Sequence, residues 1–127
     1  MDIRWTVKDI QGREIILKQT TYDEHITEDH DLQDAKFRKS MEPRVKQTLI
    51  SPDVIIKDGK RNLYYNTVVI RHEEGLPKVK ILKVVVDADR IPNEVITWTP
   101  LRKGDAIRNG VIFYERGTID LSDKQVR

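Results

Sequence analysis

The chain has 127 residues, of which 35% are charged and 6% aromatic, with a formal net charge of +2 and no cysteine. The length suits one domain, 1–127, with enough chain to bury a core, and the lack of cysteine excludes a disulfide framework, a zinc–thiolate site and a cysteine nucleophile. The opening Met1-Asp2-Ile3-Arg4-Trp5 holds no apolar signal core and no apolar run approaches the roughly 18 residues of a membrane span, so a cytoplasmic location is expected, while a net charge of +2 does not by itself point to a nucleic-acid partner.

Ile3, Trp5 and Val7 alternate with polar residues, the period of a half-buried strand. Gln11-Gly12 can turn the chain, and the apolar run Ile15-Ile16-Leu17 suits a second strand. Thr27 is placed to cap a helix from about Glu28 to Lys39, with Glu28 and Asp29 in the first turn, where the helix dipole favours anions. Pro43 is tolerated in a first turn, so a second helix is expected from about Glu42 to Ile50, burying Val45, Leu49 and Ile50. Ser51-Pro52 ends it.

Strands dominate the remainder. Val54-Ile55-Ile56 is followed by Asp58-Gly59, a strong hairpin signal. Leu63 to Ile70 alternates, Glu73-Glu74-Gly75 turns, and Val79 to Val86 is a long apolar strand interrupted by Lys80 and Lys83. Glu94 to Thr99 is a further strand, and Val111 to Tyr114 reads as an edge strand or a partner-binding tail. The expected fold class is α+β: an N-terminal hairpin and a helical pair packed on an antiparallel sheet of about four core strands.

Charge is unevenly spread. Tyr22 to Asp34 holds six acidic residues, two of the three histidines, His25 and His30, and no Lys or Arg. A basic stretch follows, which fits a helix that begins acidic and ends basic and also suits contact with phosphates. Histidine has the unperturbed pKa nearest neutrality, so His25 and His30 qualify for proton transfer, for metal binding or for a structural hydrogen bond. His25, Asp29 and His30, with Glu24 or Asp23, have ligand types suited to a divalent ion, although the spacing is not that of two histidines on one helix face.

The order of pieces resembles a phage-associated nuclease family of the barnase, EndoU, colicin and RelE-like (BECR) fold group. The resemblance is carried by His25-Ile26 and His30, by Ser51-Pro52-Asp53-Val54, and by Asp58-Gly59 and Tyr64-Tyr65. Lys83-Val84-Val85-Val86 and Val95-Ile96-Thr97-Trp98 complete it. It covers residues 20–99, leaving 100–127 as a C-terminal extension. It implies helices ahead of a four-stranded antiparallel sheet and a metal-independent ribonuclease, toxin-like or phage-associated, with RNA as substrate, no cofactor, and an antitoxin or immunity protein as partner. The chemistry is attack of a ribose 2′-hydroxyl on the adjacent phosphorus, which needs a base, an acid and groups that stabilise the phosphorane.

Carried onto this chain, the resemblance makes His25, Lys83 and Thr97 the catalytic candidates: a proton carrier, a phosphate-neutralising cation and a hydrogen-bonding hydroxyl. His30, Tyr64 and Tyr65 are its substrate-binding candidates, and the basic stretch adds Arg44 and Lys46 as a phosphate-guiding surface. Each has a plainer reading. His25 and His30 would then be local hydrogen-bonding or solvated residues, Lys83 a solvated sheet lysine, Thr97 an ordinary β-former, and Arg44 and Lys46 a soluble helix face. His72, beside a turn, is read as surface. Adjacent Tyr64 and Tyr65 must face opposite sides of a sheet, which suggests one in the core and one exposed. Two rival classes remain: a metal-dependent hydrolase built on His25, Asp29 and His30, and a catalytically inactive module that binds another protein by strand addition.

Overall fold

The computed structural model describes residues 2–28, 32–70, 78–101 and 111–115, and of these the side chains other than those of 25, 27–28, 32–35, 69–70, 78–79, 101 and 111–115. Strands β1 (Ile3–Lys8) and β2 (Glu14–Lys18) form the hairpin. Asp9 N and Gly12 N close its turn on Arg13 O and Asp9 O, both at 2.9 Å, and Gly12 takes φ +83°, which suits a residue without Cβ. A register shift between Ile3 and Trp5 breaks the expected alternation, so Trp5 and Val7 turn towards the core while Ile3 stays exposed.

The helical layer begins earlier than expected. One turn, α1 (Gln19–Thr21), continues directly into a π-helical segment, Tyr22–Glu28. Thr27 therefore lies inside a helical segment and is not its cap. The cause is a pair of apolar residues hidden among the acids: Tyr22 and Ile26 are both buried in the main core and dock the segment. Helix α2 (Leu32–Ser40) follows, and α3 spans Glu42–Ile50 with Pro43 in its first turn, as expected. Its buried stripe is Val45, Thr48 and Leu49. Ile50 is exposed, because it sits on the far side of the helix, and Thr48 is buried at no polar cost since its hydroxyl donates to Arg44 O at 2.7 Å.

Five more strands complete the sheet: β3 (Val54–Asp58), β4 (Arg61–Ile70), β5 (Lys78–Asp87), β6 (Asn93–Leu101) and β7 (Val111–Glu115). The loop between β3 and β4 is Gly59-Lys60 with Gly59 at φ +61°, the arrangement of a two-residue turn that demands positive φ at its first position. The order across the sheet is β1-β2-β6-β5-β4-β3-β7. The architecture is α+β, but the sheet has seven strands and is mixed: β3 to β6 form an antiparallel meander, and β2 joins β6 in parallel through Ile15 with Asn93 and Ile16 with Glu94. β7 is an edge strand against β3. No helix among the described residues is long and apolar enough to cross a membrane.

Both faces of the sheet carry a core. The first, under the helices, gathers Ile15, Leu17, Tyr64, Leu82, Val84 and Trp98 with Tyr22, Ile26, Met41, Val45 and Leu49. The second holds Val54, Ile56, Leu63, Tyr65, Ile81 and Val85. Two polar devices fasten the helices. Glu42, in the first turn of α3, accepts from Arg4 Nε at 2.6 Å, Arg4 Nη2 at 3.0 Å and Trp5 Nε1 at 2.9 Å. The Arg4 guanidinium also lies 3.8 Å from the centre of the Tyr22 ring, so β1, α3 and the π-helical segment meet at one cation. At the end of α2, Trp98 Nε1 donates to Arg38 O at 3.1 Å while Arg38 Nη1 donates back to Trp98 O and, at 3.3 Å, to Thr97 Oγ1.

The Trp98 indole is wholly buried and its N–H has that one acceptor. Trp98→Phe should therefore lower stability by about 1–3 kcal/mol. The check is a lower urea midpoint with an unchanged slope.

Candidate functional sites

The parallel seam between β2 and β6 has a different site on each side. Asn93 and Glu94 are neighbours on β6, and successive strand residues point to opposite faces. Glu94 pairs across the strands with Asp87 and Ile16, and with them belongs to the second face. There a groove of about 370 Å³ opens between the sheet and the start of the helical layer. Lys18, Arg90 and Glu94 line it on one side, and Thr20, Thr21 and Glu24, at the start of the helical layer, on the other. Lys18 Nζ lies 3.0 Å from Glu94, and Arg90 reaches Asp87 at 3.3 Å and Glu94 at 3.2 Å. The two cations are thus held by carboxylates while the groove stays open to solvent. Beyond Asp87 and Arg90 the depression continues past Lys60, Arg61 and Asp89.

On the first face, Asn62 and Asn93 line a second pocket of about 450 Å³, between the β1–β2 turn and the β5–β6 loop. One wall rests on a buried polar chain. Asp9, 6% exposed, accepts from Tyr64 Oη at 2.6 Å, from Gln11 N at 2.9 Å, from Arg13 N at 2.8 Å and from Arg13 Nε at 2.6 Å. Burial alone would push the Asp9 carboxyl up. The hydrogen bonds from Tyr64 and Arg13 outweigh it and hold the group below its ordinary value. Burial first, then the Asp9 carboxylate, push the Tyr64 hydroxyl well up, so it stays protonated and donates.

The residues singled out from the sequence do not gather at one point. His25 lies in the π-helical segment, one residue after Glu24 of the groove lining, and its side chain is outside the described set. His30, Asp29 and His72 lie outside the described residues altogether. Lys83 leaves the second face, directly across from Tyr65 and Thr99. It stands four residues from Asp87, roughly 13 Å along β5, and does not line the groove. Thr97 Oγ1 is engaged by Arg38.

The two tyrosines do face opposite sides, but neither is exposed: Tyr64 is at 0% and Tyr65 at 1%. The expectation of one open tyrosine fails because the second face is also a core. Burial, with Asp58 adding to it, pushes the Tyr65 hydroxyl up to about 12. Arg44 is exposed on α3, and Lys46 sits 5.5 Å from the centre of the Trp5 ring, so that cation is spent on packing. Among the described residues no cluster of His, Asp and Glu is arranged to hold a metal ion. The side chains of His25, Asp29 and His30 are not among them.

Sequence reasoning missed Lys18, Arg90, Glu94, Asn62 and Asn93. No protein-family model, curated protein or solved structure matches the chain.

Because the Asp9 carboxyl is lowered in the folded state, its contribution is full above the ordinary value of 3.8 and is lost as pH falls through the folded value. Asp9→Asn should cost about 1.5–3 kcal/mol at pH 7. Its stability gap to the parent should narrow below about pH 4. Denaturant midpoints at pH 7, 5 and 3 give the comparison, and a gap constant with pH would contradict the assignment.

Proposed function

We propose that the chain is a metal-independent endoribonuclease of BECR-like fold, with RNA bound in the groove at the β2–β6 seam. The observation that carries this reading is the groove itself. It sets Lys18 and Arg90 beside Thr20, Thr21 and Glu24, and Glu24 immediately precedes His25. Further support comes from the helices that precede the β3–β6 meander, the arrangement the sequence resemblance implies.

In this mechanism Glu24 takes the proton of the ribose 2′-hydroxyl as its oxygen bonds to phosphorus. His25, as imidazolium, gives a proton to the leaving 5′-oxygen as the phosphorus–oxygen bond breaks. Lys18 and Arg90 offset the charge of the phosphorane, turning from Glu94 and Asp87 to the phosphate oxygens. Thr20 and Thr21 hydroxyls donate to the same oxygens. Lys83, on the second face away from the groove lining, meets the flanking backbone of a longer strand, and Thr97 serves through Arg38 to hold α2. The products are a 2′,3′-cyclic phosphate and a free 5′-hydroxyl. An antitoxin or immunity protein would act by covering the groove.

His25→Ala should reduce cleavage of a single-stranded RNA by about 10²- to 10⁴-fold while the fold is retained. Arg90→Ala should raise KM and slow turnover, and His72→Ala should match the parent. EDTA should leave the rate unchanged. Equal rates in His25→Ala and the parent would remove that residue from the mechanism. Loss of activity in EDTA, restored by a divalent ion, would favour the hydrolase built on His25, Asp29 and His30.

A further inference from the structure

The pocket on the first face stands apart from the cleavage groove and has the composition of a ligand site. Asn62 and Asn93 are 3% and 8% exposed, and the Asn62 amide already donates to the Tyr64 hydroxyl, which leaves its carbonyl and the whole Asn93 amide for a ligand. The Asn93 side-chain amide makes no hydrogen bond among the described residues, although it is more than nine-tenths buried and lines an open volume of about 450 Å³. What remains accessible of Asn93 opens onto the pocket, so its amide is free to exchange water for the polar edge of a ligand. The β5–β6 loop gives the opposite wall, Ile91 and Pro92, with Ile91 98% exposed. That isoleucine is left in water beside a cavity it could close.

The loop has little freedom to drift. Ala88 N donates to Lys60 O at 2.8 Å, Asp89 N donates to Asp87 Oδ1 at 3.0 Å, and Arg90 is tied to Asp87 and Glu94. Lys57 stands at the mouth, exposed and with no ion pair among the described residues. Glu14 lies on the other side of the mouth, and Arg13 is already committed to Asp9.

We propose that this pocket binds a nucleotide, with the base inside against Asn93 and Asn62 and the phosphate at Lys57. A carboxamide offers donors and an acceptor on one edge, the pattern that a heterocyclic base edge complements. Ile91 and Pro92 supply a flat apolar cover for its face. The volume falls within the roughly 300–1,000 Å³ of small-molecule sites. Lys57 and Glu14 together admit one phosphate at one side of the mouth and repel a second at the other. The site does not depend on the cleavage reading, since none of its residues lines the groove.

The test is a nuclear magnetic resonance titration of the isotope-labelled full chain with each of the four 5′-mononucleotides, with a short single-stranded RNA, and with ribose 5-phosphate as the base-free control. The Asn62 and Asn93 side-chain amides and the Ile91 methyls should move with at least one mononucleotide or with the RNA, and the two amides should stay in place with ribose 5-phosphate. Shifts with RNA alone would assign the ligand as a nucleotide unit within a strand. Asn93→Leu should weaken binding by about tenfold or more. Lys57→Ala, an exposed change that leaves the fold intact, should weaken the nucleotide but not the matching nucleoside. The proposal is overturned if no nucleotide or RNA moves these amides, if Asn93→Leu binds as well as the parent, or if Lys57→Ala affects nucleotide and nucleoside alike. Because the readout is binding at named amides, an inactive His25→Ala chain should give the same shifts as the parent.

Discussion

Two cross-strand pairs of parallel register, Ile15 with Asn93 and Ile16 with Glu94, join the N-terminal hairpin to the meander. Everything of chemical interest lies beside that short joint. A parallel pair cannot be closed by a tight turn, so the chain must leave β2, run through the helical layer and three strands, and return as β6. The helices are thereby committed to one face. Because β2 and β6 share only those pairs before diverging, the seam opens into the groove on one side. The hairpin turn and the β5–β6 loop frame the pocket on the other.

The seam is held by polar contacts as well as by apolar packing. Lys18 and Arg90 bracket Glu94 on the second face. On the first, Tyr64 reaches Asp9 of the hairpin turn and ties β1–β2 to the meander. Asp9 and Tyr64 are 55 positions apart in the chain and both buried. A single charged hydrogen bond at such separation fixes how the hairpin sits on the rest, and it uses the phenol that the sequence offered as a substrate contact. A tyrosine engaged in this way is a structural residue: it holds Asn62 as well as Asp9, and Asn93 is the asparagine left facing cavity space.

The local signals in the sequence translated well. Pro43 marked the start of α3 and Gly59 the β3–β4 turn, since each depends on backbone chemistry confined to a few residues. The π-helical segment was not legible, because Tyr22 and Ile26 are a thin apolar signal within a dense run of carboxylates. The second core was missed for a related reason: Leu63 to Ile70 carries apolar residues at both parities, which alternation alone reads as a one-sided sheet with a few exposed aromatics. The groove and the pocket could not be read at all. Their residues come together through the parallel register of β2 on β6, and no local pattern encodes which distant strand a hairpin will join.

The reciprocal contact of Trp98 with Arg38 has a spectroscopic consequence. The chain has two tryptophans, and each marks a different junction: Trp98 is sealed between the sheet and α2, while Trp5 is partly buried and bonded to Glu42 at the junction of β1 with α3. Their emission differs in solvent access and in the charge next to the indole. Intrinsic fluorescence can thus distinguish detachment of the hairpin from loss of the α2 contact, and a chain with only one of the two indoles follows one junction alone.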